Sequence, residues 1–388
     1  MPVSHGDIPG TLCRTGFISR TTSAALAVLS GLWIRRAFSS DRAPSARSQR
    51  HALRFESGGP GRRLNIAAAA GVCALLLLGW PMRGYSQTQT PTGRVHIVPI
   101  RIAPKPGTTS LAPATSGPSA PICLDSSGNP GGTCLFNYYG GPVISNIDAV
   151  VVYWGKSVSS VVNCGGGLDS HGNCIGISQF HSAVVDSTFI DMLGEYNTAG
   201  VDATAGSKIG LPGNQNIGRG TLHPGSPFVI TPSAANSGTK ISDSNIQSEI
   251  QSQIAAGNLP APATDGVGNV NTIYMVYFPP GVIIDDGTGA LSCVQFCAYH
   301  STYLSLSKLA VPYGVIPDFG TGSGCDMGCG SDTQWQNITS TTSHELAESI
   351  TDTAVGLPSS STLPFDFPLT WYDVKNGEIG DPCALASG

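Results

Sequence analysis

A succession of short runs rich in β-branched and aromatic residues, closed by one acidic helix, limits the folds open to this chain more than any other feature. "IDAVVVYWG" (147–155), "NTIYMVYFPPGVII" (271–284), "CAYHSTYLSL" (297–306) and "VPYGVIPDF" (311–319) each have the length and composition of a strand. Pro279-Pro280 stops the second. Two helical patterns lie among them. "SQFHSAVVDSTFIDMLGEYN" (178–197) spaces Phe180, Val184, Phe189, Met192 and Leu193 as one helix would. "SDSNIQSEIQSQIAAG" (242–257) opens on Ser or Asp as N-cap and stops at Gly257.

The closing helix reads "TSTTSHELAESITD" (339–352). Residues four apart on a helix project to one side, so His344 and Glu348 can face one ion. Glu345 is turned by one residue, toward a bound water. This is the H-E-x-x-H arrangement of zinc hydrolases with carboxylate in place of the second imidazole. Zinc is the expected cofactor. The extra carboxylate makes a harder site that also admits calcium or manganese. A third ligand must come from downstream, and "TWYDVKNGEIGDPC" (370–383) supplies Glu378, on a turn able to fold back. Asp381 and Asp352 stand as alternative or supporting ligands. The residues alone also allow an ordinary acidic helix, with His344 in a core and both glutamates in solvent. Strands followed by an H-E helix is the order of zincins, so the expected fold is α+β: a zincin-like mixed β-sheet, an active-site helix and disulfide-stapled loops.

Nine cysteines follow residue 87. Cys123, Cys134, Cys164, Cys174, Cys293, Cys297, Cys325 and Cys329 are disulfide candidates, several in close pairs. The two C-x3-C segments lack the C-x2-C spacing usual for structural zinc. Cys383 is the ninth, and its partner is missing if the chain is truncated.

"GRRLNIAAAAGVCALLLLGWPMRGYSQTQ" carries a charged start, an apolar run too short to span a membrane, and small residues before Gln87. The expected organisation is a disordered or wrongly started leader (1–60), a signal peptide (61–86), a Pro/Ser/Thr-rich linker (87–120) and one domain (121–388). "RVHIVPIRI" inside the linker alternates like a short strand. Residues 1–86 hold 11 Lys/Arg against 3 Asp/Glu, and the rest 9 against 22, so the body carries −13. Such a body repels phosphate backbones and excludes nucleic acid as partner. An extracellular peptide or a cell-envelope component is the expected partner, with no stable membrane span after signal cleavage.

Other chemistries find little support. No G-x-S-x-G is present, and adjacent Ser343 and His344 do not face each other on a helix. "GTGSGCDMGCG" lacks the lysine of a phosphate loop. His300 is expected as a core histidine able to touch substrate, His181 as structural, and His171 and His223 as solvent-facing. Asn337-Ile338-Thr339 matches a glycosylation sequon.

"YYGGPVISNIDAVVVYWG", "CAYHS" and "SHELAESITD…WYDVKNGEIGDPC" resemble the EXORDIUM-like (phosphate-induced protein) family and its bacterial secreted relatives. The resemblance runs from about Tyr138 to Cys383. It implies an extracellular protein and marks His344, Glu345, Glu348, Glu378, Asp381 and Cys383. It implies no particular enzymology. The insert "GLPSSSTLPFDFPLT" and the end soon after Cys383 depart from the family pattern.

Overall fold

The computed structural model describes residues 96–99, 123–124, 131–204, 213–357 and 369–382. The expected leader and signal segment, nearly all of the expected linker, and Cys383 lie outside the described residues.

In chain order the elements are β1 (His96–Pro99), β2 (Asn137–Tyr138), β3 (Asn146–Trp154), α1 (Ser160–Cys164), α2 (Ile177–Val184), α3 (Thr188–Leu193), β4 (Gly218–Leu222) and β5 (Phe228–Ile230). They continue with β6 (Lys240–Ser242), α4 (Asp243–Ala255), β7 (Thr272–Tyr277), β8 (Ile283–Asp285), β9 (Phe296–Leu304), β10 (Ala310–Ile316), α5 (Cys325–Gly328), α6 (Gln334–Thr351) and β11 (Trp371–Tyr372). The four strand-like runs all form strands. The 178–197 pattern instead makes two helices. Ser187 Oγ donates to the Val184 carbonyl and accepts from Phe189 N–H, so one hydroxyl ends α2 and caps α3. Ser242 is the N-cap of α4, in a reciprocal box with Asn245, and Gly257 stops the chain at φ +74°.

Among the described residues seven strands form one mixed sheet in the order β1-β9-β10-β7-β3-β4, with β5 also on β3. β10, β7, β3, β4 and β5 run parallel, and β9 is antiparallel to both β10 and β1. β1 lies within the expected linker, so that segment contributes an edge strand to the domain.

Side chains alternate across a strand, and both faces of this sheet are covered. Val151, Tyr153, Met275, Tyr277 and Ala298 pack on one face with Phe180, Val184, Leu346 and Ile350 from α2 and α6. Val150, Val152, Tyr274, Val276, Tyr299 and Tyr313 pack on the other with Ile246 and Ile250 from α4. Two-sided burial explains why β3 and β7 read as unbroken apolar runs. The same alternation puts His300, two residues from Ala298, on the α6 side.

Among the described residues four disulfides join Cys123–Cys134, Cys164–Cys174, Cys293–Cys325 and Cys297–Cys329. The first two are local. The two C-x3-C segments pair with each other rather than internally. Cys325 and Cys329 are one helical turn apart and face the same side, so each meets a different cysteine of the other segment. Among the described residues no helix is long and apolar enough to cross a membrane.

Candidate metal centre

Three segments build the cluster. α6 opens on the Thr333 cap with Gln336 and buries nearly its whole length. Its composition is polar, yet three of its hydroxyls are satisfied by carbonyls of the same helix. Thr339 donates to the Trp335 carbonyl, Ser343 to that of Thr339 and Thr351 to that of Ala347. The helix therefore packs deep under the sheet and carries His344, Glu345 and Glu348 with it.

The C-terminal segment returns by pairing β11 with β2. Asp373 accepts from the backbone N–H of Lys375 and Asn376 and bridges to Gly377, which turns at φ +83°. Glu378 N–H then donates to Asp381 Oδ2 at 2.9 Å. Gly380 N–H donates to Glu348 Oε1 at 3.2 Å. A Cβ at Gly380 would stand 2.7 Å from both Glu348 Oε1 and His344 Nδ1. Only glycine lets the turn lie this close to the helix.

His344 Nε2 is 3.0 Å from Glu348 Oε1 and 3.9 Å from Asp381 Oδ1. His300 Nδ1 is 3.1 Å from Glu345 Oε2 and 3.6 Å from Glu348 Oε2, and its Nε2 is 3.3 Å from Glu378 Oε2. His300, Glu345, Glu348 and Glu378 are all at most 1% exposed. Burial by itself would lower the His344 pKa. The carboxylates of Glu348, Glu345 and Asp381 outweigh it and hold this imidazole up to about 9.

Among the described residues two groups could hold a metal ion: His344 with Glu348 and Asp381, and His300 with Glu345 and Glu348. The expected helix pair of His344 and Glu348 is thus present, and Asp381 joins it. Glu378, the expected third ligand, places its Oε2 3.3 Å from His300 Nε2. Asp352 ends α6, where its Oδ1 accepts from Thr370 N–H at 2.8 Å and anchors the returning segment. It belongs to neither group. The residue missed in the sequence is His300, a second imidazole supplied by strand β9 instead of by the helix. Its signal was a titratable side chain in a run otherwise suited to a buried strand.

Donors bound at about 2.0–2.1 Å to one tetrahedral ion stand roughly 3.4 Å apart. Separations of 3.0–3.9 Å bracket that value. Buried carboxylates facing imidazoles are the donor chemistry of a transition-type divalent ion, and the residues fit one.

The remaining histidines lie elsewhere. His181 is buried and its Nε2 is 2.8 Å from Tyr277 Oη, which in turn is 3.1 Å from Thr342 Oγ1. Burial pushes its pKa down to about 3, so it is structural and neutral. His223 is not free in solvent, because its Nδ1 sits 2.9 Å from Asp148 Oδ1. His171 is exposed, as expected. Asn337 is buried with its side chain bonded to the Asp332 backbone, which closes the sequon to modification in the folded state.

Fold and cluster define a mixed α/β domain with a buried histidine–carboxylate centre able to hold a metal ion. No protein-family model matches the chain, and neither a curated protein nor a solved structure matches it.

Proposed function

We propose that the chain is a secreted, zinc-dependent hydrolase of peptidase type on a zincin-like frame. His344, Glu348 and Asp381 hold the ion, and Glu345 is the proton-accepting carboxylate. The observation that carries this reading is the position of His344 Nε2, which faces Glu348 Oε1 and Asp381 Oδ1 from one side of the helix. Bound zinc supplies a Lewis acid that makes water nucleophilic near neutral pH. Glu345 stands one residue from His344 and takes up the proton at its carboxylate. His300 fixes that carboxylate through the 3.1 Å contact to Oε2, and Glu378 orients the His300 ring from behind. The imidazole of His344 favours zinc over calcium, which takes six to eight oxygens. Four disulfides accord with an extracellular site of action and with EXORDIUM-like membership. An extracellular peptide or a cell-envelope component is the proposed substrate.

A second reading is a non-enzymatic extracellular binding or signalling protein with a structural ion. The near-complete burial of Glu345 and Glu348 favours it, because structural sites are closed.

Elemental analysis of the exported protein, purified without chelator, together with a peptide-hydrolysis screen, separates the two. Wild type should retain zinc and cleave peptides. His344→Ala should lose the ion from its site, and Glu345→Gln should keep that ion but lose hydrolysis. A zinc-loaded wild type that cleaves nothing supports the structural reading. An active Glu345→Gln variant refutes the role given to Glu345.

A further inference from the structure

We infer that the cluster contains a second cation site, formed by His300 Nδ1, Glu345 Oε2 and Glu348 Oε2 and bridged to the first through Glu348. This inference rests on the metal-centre reading above and adds an ion to it. Glu348 divides its oxygens between the imidazoles: Oε1 faces His344 at 3.0 Å and Oε2 faces His300 at 3.6 Å. A carboxylate spread this way has the disposition of a bridge between two ions, not of a ligand to one.

The His300 ring is turned to serve. Its Nε2 lies against Glu378 Oε2 at 3.3 Å, and its Nδ1 points at Glu345 and Glu348. A ligand histidine commonly gives its other N–H to a carboxylate, which leaves the facing nitrogen with its lone pair. The separations from Nδ1 of 3.1 and 3.6 Å straddle the roughly 3.4 Å expected between donors on one tetrahedral ion.

Charge agrees. Glu345, Glu348, Glu378 and Asp381 bring four negative charges to one cluster, and three of the four are buried. With neutral imidazoles, one dication leaves two of those charges unbalanced, and two dications match all four. Uncompensated charge is costly at such depth.

Occupancy has a consequence for the chemistry. Glu345 Oε2 bound to an ion is no longer a proton acceptor. The second ion enters against the charge of the first and so binds more weakly. Scarce metal fills the first site, and abundant metal fills the second and silences the centre.

Metal content under rising free zinc tests this. The full exported protein, His300→Ala and Glu345→Gln would be equilibrated and analysed for ions per chain, with circular dichroism as the check on folding. Wild type should reach two ions and each variant one. Manganese-loaded wild type should show a spin-coupled pair by electron paramagnetic resonance, and the variants an isolated ion. One ion in wild type overturns the second site and leaves the proposed function standing. Two ions that persist in both variants also overturn it. No ion in any protein overturns both readings. The wild-type measurement decides even if neither variant folds.

Discussion

Gly380→Ala is a sharp probe of the centre because it adds one methyl group and removes no ligand. The new Cβ would lie 2.7 Å from Glu348 Oε1, 2.7 Å from His344 Nδ1 and 2.8 Å from His344 Cε1. Ordinary contacts to carbon begin near ~3.5 Å, so the turn must withdraw by about 0.8 Å. Side-chain ends usually give way to such a methyl, but these two are held inside the cluster. The turn therefore moves, and Asp381 moves with it. Ligand sets tolerate displacements of only about 0.5 Å, and disturbing a ligand's support typically costs about 10–100-fold in metal affinity. That range corresponds to roughly 1.4–2.7 kcal/mol. Overpacking adds a loss of about 1–3 kcal/mol in the stability of the metal-free fold. Zinc affinity, read by competition with a chromophoric chelator, is the assay. Gly266→Ala is the control, since a Cβ there meets nothing within 4 Å. Equal zinc affinity in Gly380→Ala and wild type would refute the placement of Asp381 against His344.

Other outcomes follow from residues outside the centre. His181 is neutral in the fold, with its pKa held at about 3, and ionises near 6.5 when unfolded. The unfolded chain then binds the extra proton, so stability is full above pH 6.5 and falls as pH drops toward 3, by up to about 1.4 kcal/mol per unit. Urea titrations across that window should show the slope, and His181→Gln should flatten it. Tyr277→Phe removes the hydroxyl between His181 and Thr342 and should cost about 1–3 kcal/mol in the same titration. The bridges Cys293–Cys325 and Cys297–Cys329 both close a separation of 32 residues. Removing both by alanine substitution should cost about 3–4 kcal/mol, and removing either alone clearly less, because the other still closes the loop. Equal losses from single and double removal would contradict this.

Much of the sheet was legible because two-sided burial writes itself into sequence as continuous β-branched runs. α4 was legible because Ser242 and Gly257 mark its ends. The 178–197 pattern misled because apolar spacing survives a one-turn break, and only the double role of Ser187 reveals it. Half of the centre was legible for the same local reason: His344 and Glu348 are one helical turn apart. What failed was whatever depends on partners remote in sequence. Asp381, named beforehand only as an alternative ligand, comes to 3.9 Å from His344 because the turn closes on itself, with Glu378 N–H held by Asp381. His300 joins because strand parity and sheet order place β9 over α6, and no local pattern near residue 300 states that. The C-x3-C segments hid their cross-pairing in the same way.

That cross-pairing also sets an order of events. Cys297 lies three residues before His300 on β9, and its partner Cys329 lies shortly before α6. The strand and the helix that share the centre are therefore laced together at one end by two adjacent covalent ties. In a reduced chain only noncovalent contacts hold His300 near His344, whereas oxidation ties their segments side by side. The covalent part of that lacing forms only under oxidising conditions, so the redox state of the surroundings sets how firmly the donor-bearing segments are joined.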